Sequence, residues 1–331
     1  MGIKGLFKFI NEIPNLNNNV DNTTYKYKKI AIDISLLLYK ICISKRNFGS
    51  DYLNSKGESI SHILILFNKT IELLNNKIIP VYIFDGKPPE IKKKTIEMRR
   101  LTKKKAMEKL KNATNEDERI KYFKRCFKIT KQQWDECKEL LTLMGVPFIN
   151  APEEADSQCA YLSKLGLVDG VFTEDMDILT FGSKKIIKNL TSYKYDTSEI
   201  LLDDVLKKLD LNQEEFIDFC ILLGSDYCNG IVDVNPLTIF EYYYKNKTIE
   251  KTLEMMRLDN YNVPNSINYQ ETKNYFLNPN VVNVDNTMIM LKCPNYKLLY
   301  NILINKYSLV KYIMKRKLSC LMSNYENLKE L

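Results

Sequence analysis

Two apolar runs, Lys29–Asp33 (KIAID) and Ile78–Asp85 (IIPVYIFD), each stop at an aspartate. An apolar run without polar alternation is the pattern of a strand covered on both faces, and such strands belong to parallel sheets flanked by helices. Helix-like sequence follows the first run (SLLLYKICI) and precedes the second (Ile60–Asn75). The alternation continues with a helix over Thr130–Met144 and short strands at Val146–Ile149, Gly170–Phe172 and Lys185–Lys188. The chain is therefore expected to be α/β, with a mostly parallel central sheet flanked by helices. After Leu201 it reads as helical, and Asn212 with Glu215 resembles the cap of a helix running to Leu223. Ligands of open α/β sheets gather at the carboxyl ends of the strands, so Asp33 and Asp85 are expected at one functional edge.

The window Asn150–Phe181 sharpens that expectation. Seven carboxylates (Glu153, Glu154, Asp156, Asp169, Glu174, Asp175, Asp177) stand against one cation, Lys164, for a net −6 in a chain of net +8. Pro152 suits a first helical turn, and Ala155, Cys159 and Leu162 keep helical spacing. Gly170–Phe172 then opens into the acidic Thr-Glu-Asp-Met-Asp. Like charges held close destabilise one another unless cations neutralise them, and clusters of oxygen donors suit hard ions such as Mg²⁺ or Mn²⁺.

The opposite charge is concentrated elsewhere. Between Lys87 and Lys131, 17 Lys or Arg face 6 Asp or Glu, a net +11 that leaves the rest of the chain at −3. Strong helix formers dominate, with a break at Asn112–Asn115, so two helices joined by a polar turn are predicted. A long unbalanced run of this kind fits contact with phosphates.

Other classes are excluded by what is missing. Eight cysteines show no Cys-x-x-Cys spacing, and the one histidine, His62, sits in the apolar SHILILF. Neither a zinc finger nor a histidine-dependent hydrolase is expected, and His62 reads as packed. No run of about eighteen apolar residues marks a membrane span, and the N-terminus lacks the order of a signal peptide. A soluble intracellular protein with reduced thiols is expected.

MGIKGL at the N-terminus, AID at 31–33, VYIFDGKPP at 81–89, APEEAD at 151–156, TEDMDILTFG at 173–182 and CILLGSDYC at 220–228 stand in an order and spacing that resemble the flap endonucleases of the structure-specific 5′-nuclease family. The likeness is strong over roughly the first 230 residues and loose beyond. It implies a PIN-like fold with regions at 1–105 and 132–228, a basic helical arch at 87–131, and a helical DNA-binding C-terminal part at 229–331. The metal-binding carboxylates implied are Asp33, Asp85, Glu154, Asp156, Asp175, Asp177 and Asp226, holding two Mg²⁺ or Mn²⁺ ions. At 156 the family's glutamate is Asp, one methylene shorter. Lys92 and Arg99 fall on the catalytic cations, and Tyr39 on an aromatic that stacks on a terminal base. Arg46, Lys93, Lys94, Arg100, Lys103 and Lys104 are the further DNA contacts expected. The substrate implied is branched DNA with a 5′ single-stranded flap, cut by a monomer in replication, repair or recombination. The Asn, Ile, Lys and Tyr bias fits an AT-rich genome, and with it a nucleus or a cytoplasmic viral replication site.

Two departures stand out. The family's duplex-gripping turn, Gly-Ile-Gly-Pro followed by basic residues around a potassium ion, is here Asp233-Val234-Asn235-Pro236-Leu237-Thr238. Both glycines and both cations are replaced, which puts the potassium site in doubt and predicts weaker duplex affinity, partly offset by Lys245 and Lys247. The C-terminus carries no Gln-x-x-hydrophobic-x-x-Phe-Phe box for a sliding clamp. The alternatives are a catalytically weak junction-binding protein of the same fold and a sister nuclease acting on gaps or junctions. A pure binder, however, gains nothing from carboxylates that repel one another.

Overall fold

Seven strands form among the described residues: β1 (Asn18–Asn19), β2 (Lys29–Asp33), β3 (Ile79–Phe84), β4 (Phe148–Asn150), β5 (Gly170–Phe172), β6 (Lys185–Lys188) and β7 (Ser198–Leu201). The computed structural model describes residues 2–45, 51–192, 194–265 and 267–329. The chain divides into two compact units. The first comprises Met1–Asp21, Asp85–Thr95 and Ala151–Val282, and the second Asn22–Phe84, Ile96–Asn150 and Asn283–Leu331.

In the second unit β2, β3 and β4 pair in parallel, with Asp33 opposite Ile83 and Tyr82 opposite Phe148. All six residues of β3 are buried, which is why the run shows no alternation. The helix Ser61–Asn75 buries Ile63, Leu66 and Phe67, each contributing about 1.5–3 kcal/mol when taken fully from water. Its Thr70 hydroxyl pairs with the buried Tyr82 hydroxyl at 2.9 Å, so neither polar atom is stranded. The basic segment forms the helices Lys93–Lys111 and Glu116–Arg125, broken where Asn115 caps the second by accepting from the Glu118 N–H at 2.8 Å. The first begins in the other unit and buries only Ala106, so its lysines and arginines are not fillers of a core.

In the first unit β5 and β6 are parallel, while β6–β7 and β7–β1 are antiparallel. The helix Gln213–Leu223 carries a complete capping box, Asn212 accepting from the Glu215 N–H at 3.0 Å and Glu215 from the Asn212 N–H at 2.8 Å. The α/β class and the helical character after Leu201 match the expectations from sequence.

Two local expectations are corrected, and two strands were not anticipated. The strand after Val146 begins at Phe148, because Pro147 has no N–H to give a ladder. The helix expected from Pro152 starts at Ala155, its first backbone donor being satisfied by a carboxylate from elsewhere in the chain. The short antiparallel strands β1 and β7 had no apolar run to announce them, since Asn18 and Asn19 are polar.

Candidate active site

The first unit gathers Asp85, Glu154, Asp156, Asp175, Asp177, Asp226 and Lys92. Its geometry begins with the turn after β3. Gly86 N–H donates to the Glu153 carbonyl at 2.6 Å and Lys87 N–H to the Pro152 carbonyl at 3.1 Å. A Cβ on Gly86 would stand 2.2 Å from the Ala151 carbonyl oxygen, so only glycine lets these two backbones pass so closely. Asp85 then accepts from the Ala155 N–H at 2.9 Å. Asp85 thus caps the helix Ala155–Lys164, and Glu154, which occupies the cap position, makes no capping bond of its own. The Glu154 carboxylate is left to face the cluster.

One oxygen of Glu154 accepts from the Lys92 ammonium and the other from the Tyr227 hydroxyl. The same ammonium lies 3.3 Å from Asp226 Oδ2. Burial alone would drive Lys92 toward its neutral form. The charges of Glu154, Asp226 and Asp156 outweigh that and hold its pKa above the ordinary lysine value.

Asp175 and Asp177 follow β5. Thr173 Oγ1 accepts from the Asp175 N–H at 3.0 Å, and Asp175 Oδ1 from the Asp177 N–H at 3.2 Å. Lys188, at the end of β6, stands 3.6 Å from Glu174 and steadies the outer side of this loop. Asp177 is 2% exposed, and its Oδ1 has no hydrogen-bond partner among the described residues. Burial first, then the charges of Asp175 and Asp226, push Asp177 well above the carboxylate range. Burial likewise raises Asp175, against the donation from Asp177. At Gly2, φ +84, the backbone approaches so closely that a Cβ would lie 1.9 Å from Asp175 Oδ1.

Lys92 answers Glu154 and Asp226, and the buried Asp177 Oδ1 has no hydrogen-bond partner among the described residues. No group of three His, Cys, Asp or Glu side chains among the described residues is arranged to hold a metal ion as it stands. Yet an orphaned buried carboxylate oxygen, an all-oxygen donor set and carboxyls forced toward neutrality are what a hard cation relieves. The residues fit such an ion.

Of the other described candidate site residues from the sequence, Lys93 and Lys94 belong to the first unit and the rest to the second. Asp33 ends β2 there and is buried, accepting from the Ser35 and Leu36 N–H groups at 2.8 and 3.2 Å. Tyr39 packs edge-on against Phe127, centroids 5.4 Å apart. Lys93, Lys94, Arg99, Arg100 and Lys104 are exposed on the helix Lys93–Lys111. Lys103 is half-buried and donates to the Phe127 carbonyl at 3.2 Å. Arg46 lies outside the described residues. His62 is 2% exposed and pairs with Glu136 at 2.8 Å, so it is a packed histidine in the second unit. Tyr227 was missed, and its signal was the residue beside Asp226 in GSDY.

In the altered turn Asp233 adopts φ 60 and Asn235 accepts from the Leu237 N–H at 3.0 Å, capping the helix Pro236–Asn246. The backbone reversal survives without its glycines. Lys247, one of the two compensating cations expected, lies 4.0 Å over the Tyr244 ring and 3.9 Å from Glu215.

Residues 1–106 match the XPG N-terminal domain and residues 145–226 the XPG I-region. Flap endonuclease 1 of Homo sapiens is 40% identical over 302 residues, covering 89% of this chain and 80% of the human protein. The solved structure of flap endonuclease-1 from Methanococcus jannaschii superposes with a TM-score of 0.75 at 32% identity, covering 97% of this chain and 99% of that one. The catalytic core of Rad2 in complex with DNA substrate shares the fold, TM-score 0.73 at 23% identity, over 97% and 100% of the two chains. With identity of this level running through most of both chains, and with both family models matched, this chain belongs to the flap endonuclease family.

Proposed function

We propose that the chain is a structure-specific nuclease that hydrolyses DNA at the base of 5′ flaps with two divalent ions, in DNA replication, repair or recombination. The observation that carries the reading is the cluster Glu154–Asp175–Asp177–Asp226, where an orphaned carboxylate oxygen and raised aspartates stand around one lysine. Asp85, Glu154, Asp156, Asp175, Asp177 and Asp226 would hold the ions. Bound there, Mg²⁺ or Mn²⁺ supplies a water of lowered pKa and charge neutralisation on the scissile phosphate.

The chain's own groups do the rest. Lys92, fixed by Glu154 and Asp226, stands ready to meet negative charge as it grows on a phosphate. Arg99 on the basic helix adds to that charge, and Lys93, Lys94, Arg100, Lys103 and Lys104 attract the backbone of the single strand. Tyr39 offers a face to a terminal base. A histidine base is not needed, which agrees with the burial of His62.

The test is a labelled double-flap DNA incubated with the purified protein and Mg²⁺, beside EDTA and Asp175→Ala. Cutting at the flap base, lost in both controls, is expected. Tight binding of the flap without cutting in Mg²⁺ or Mn²⁺ would overturn the reading in favour of a junction-binding protein.

A further inference from the structure

Glu154 has both carboxylate oxygens engaged, although no capping bond in its own helix holds its side chain. It occupies the cap position of the helix Ala155–Lys164 in extended backbone, φ −91 and ψ 142, without a capping bond. A glutamate side chain so placed has three free torsions. Both of its oxygens are nevertheless taken, one by Lys92 and one by the hydroxyl of Tyr227.

Tyr227 is itself held on several sides. Its ring centroid lies 5.0 Å from that of Tyr275 and 5.3 Å from that of Phe276, the latter at an interplanar angle of 90°. Phe181, from the segment that carries Asp177, stands edge-on at 6.4 Å. The Lys92 ammonium lies 5.3 Å from the ring centroid. Phe276 is 1% exposed and belongs to the helix Tyr269–Leu277. A rigid wedge therefore runs from that helix through Tyr227 to a single carboxylate oxygen, and a phenol that donates to a carboxylate fixes which lone pairs remain to face a ligand.

We propose that Tyr227, braced by Tyr275 and Phe276, is the positioning residue that sets the rotamer of Glu154 for metal binding, so that the helix Tyr269–Leu277 serves the active site. This rests on the reading of Glu154 as a metal ligand. Groups that orient a ligand from behind change metal affinity by about 10- to 100-fold when removed. Tyr227→Phe keeps the ring in its wedge and deletes only the donor.

The experiment is a calorimetric titration of the full chain with Mn²⁺, for wild type, Tyr227→Phe, Phe276→Leu and Glu154→Gln, with melting curves in EDTA and flap-cleavage kinetics alongside. For Tyr227→Phe we expect Mn²⁺ affinity to fall about 10- to 100-fold, with the melting temperature in EDTA lowered only by the few degrees that one lost buried hydrogen bond costs and the KM for DNA unchanged. The Mn²⁺ concentration giving half the maximal rate should rise by the same factor. Phe276→Leu loosens the wedge and should weaken Mn²⁺ in the same direction by less. If Tyr227→Phe binds Mn²⁺ as wild type does while Glu154→Gln binds it weakly, positioning by Tyr227 is wrong and the ligand role of Glu154 stands. If Glu154→Gln also binds as wild type does, the ligand reading fails and the proposal with it.

Discussion

Lys92→Met keeps the length of the side chain and removes its charge, so its effects are electrostatic. The ammonium lies 3.3 Å from Asp226 and also meets Glu154, with the Lys92, Glu154 and Asp226 side chains 13%, 11% and 19% exposed. At an effective dielectric of about 20, unit charges 3.3 Å apart attract by about 5 kcal/mol. Part of that is offset because methionine no longer has an ammonium to desolvate. The carboxylates left behind have lost a cation while Asp175 and Asp177 are already pushed toward neutrality by burial. Breaking a buried pair in this way costs about 3–5 kcal/mol. With an unfolding entropy of about 2.1 cal/mol/K per residue, the 331-residue chain melts about 4–7 °C lower in EDTA. The fall is larger if the first unit unfolds by itself.

A divalent ion should reverse much of this, because Glu154 and Asp226 are no longer engaged by the lysine. Differential scanning fluorimetry in EDTA and in Mg²⁺ is therefore expected to show a larger Mg²⁺-dependent rise for Lys92→Met than for wild type, while flap cleavage stays impaired at saturating Mg²⁺. The variant would be stabilised as a protein and still lack the charge that meets the phosphate. Two outcomes would refute the reasoning: a variant that melts with wild type in EDTA, or one that gains no more from Mg²⁺ than wild type does.

Two other perturbations have expected outcomes. Burial lowers the pKa of His62, outweighing the bond to Glu136, so the imidazole is neutral and donates Nε2–H to a charged carboxylate while Nδ1 stays without a hydrogen-bond partner among the described residues. Its folded pKa being below the unfolded 6.5, its contribution is fully present above pH 6.5 and is lost as pH falls through the folded value; the fall in melting temperature between about pH 7.5 and 5.5 should shrink in His62→Gln, and an equal fall in both proteins would count against it. Leu237 and Thr238 stand in the first turn after the altered reversal, Leu237 46% exposed, so Leu237→Lys with Thr238→Lys should strengthen binding to blunt duplex and steepen the log–log salt dependence by up to about 2, near 0.9 for each phosphate gained; fluorescence anisotropy across a salt series showing no change in slope would place the duplex elsewhere.

How far the sequence foretold the molecule depended on whether a feature is local. β2 and β3 were legible because a strand buried on both faces must be apolar throughout, and Asn212 with Glu215 announced its helix because capping is settled within four residues. β1 and β7 were not, being short antiparallel strands of polar or mixed residues. The acidic window 150–181 drew attention by its net −6, and the structure puts its carboxylates in one compact unit with Asp85 and Asp226. Their supports were hidden: Asp85 capping a helix that begins seventy residues later, and the aromatic wedge behind Tyr227, are meetings of distant segments that no periodicity encodes.

The turn at 233–238 shows why the sequence and the structure answer different questions about one motif. A glycine lost from a tight reversal threatens its backbone, and a cation lost from the following helix threatens its affinity. Asp233 at φ 60 and the Asn235 cap remove the first threat, since a short polar side chain tolerates the left-handed region and supplies its own hydrogen bond. Buried Ile239 and Tyr243 keep the helix seated. The second threat is untouched. Leu237 offers no charge, Asp233 presents the wrong one, and Lys247 is engaged with Tyr244 and Glu215. A module with its shape intact and its charge removed can still orient a duplex that other surfaces hold, but it has little with which to hold one. If the single-stranded flap meets the +11 segment between Lys87 and Lys131, as proposed, the burden of affinity shifts there, and discrimination between flapped and unflapped DNA should be sharper than in a relative that grips duplex strongly.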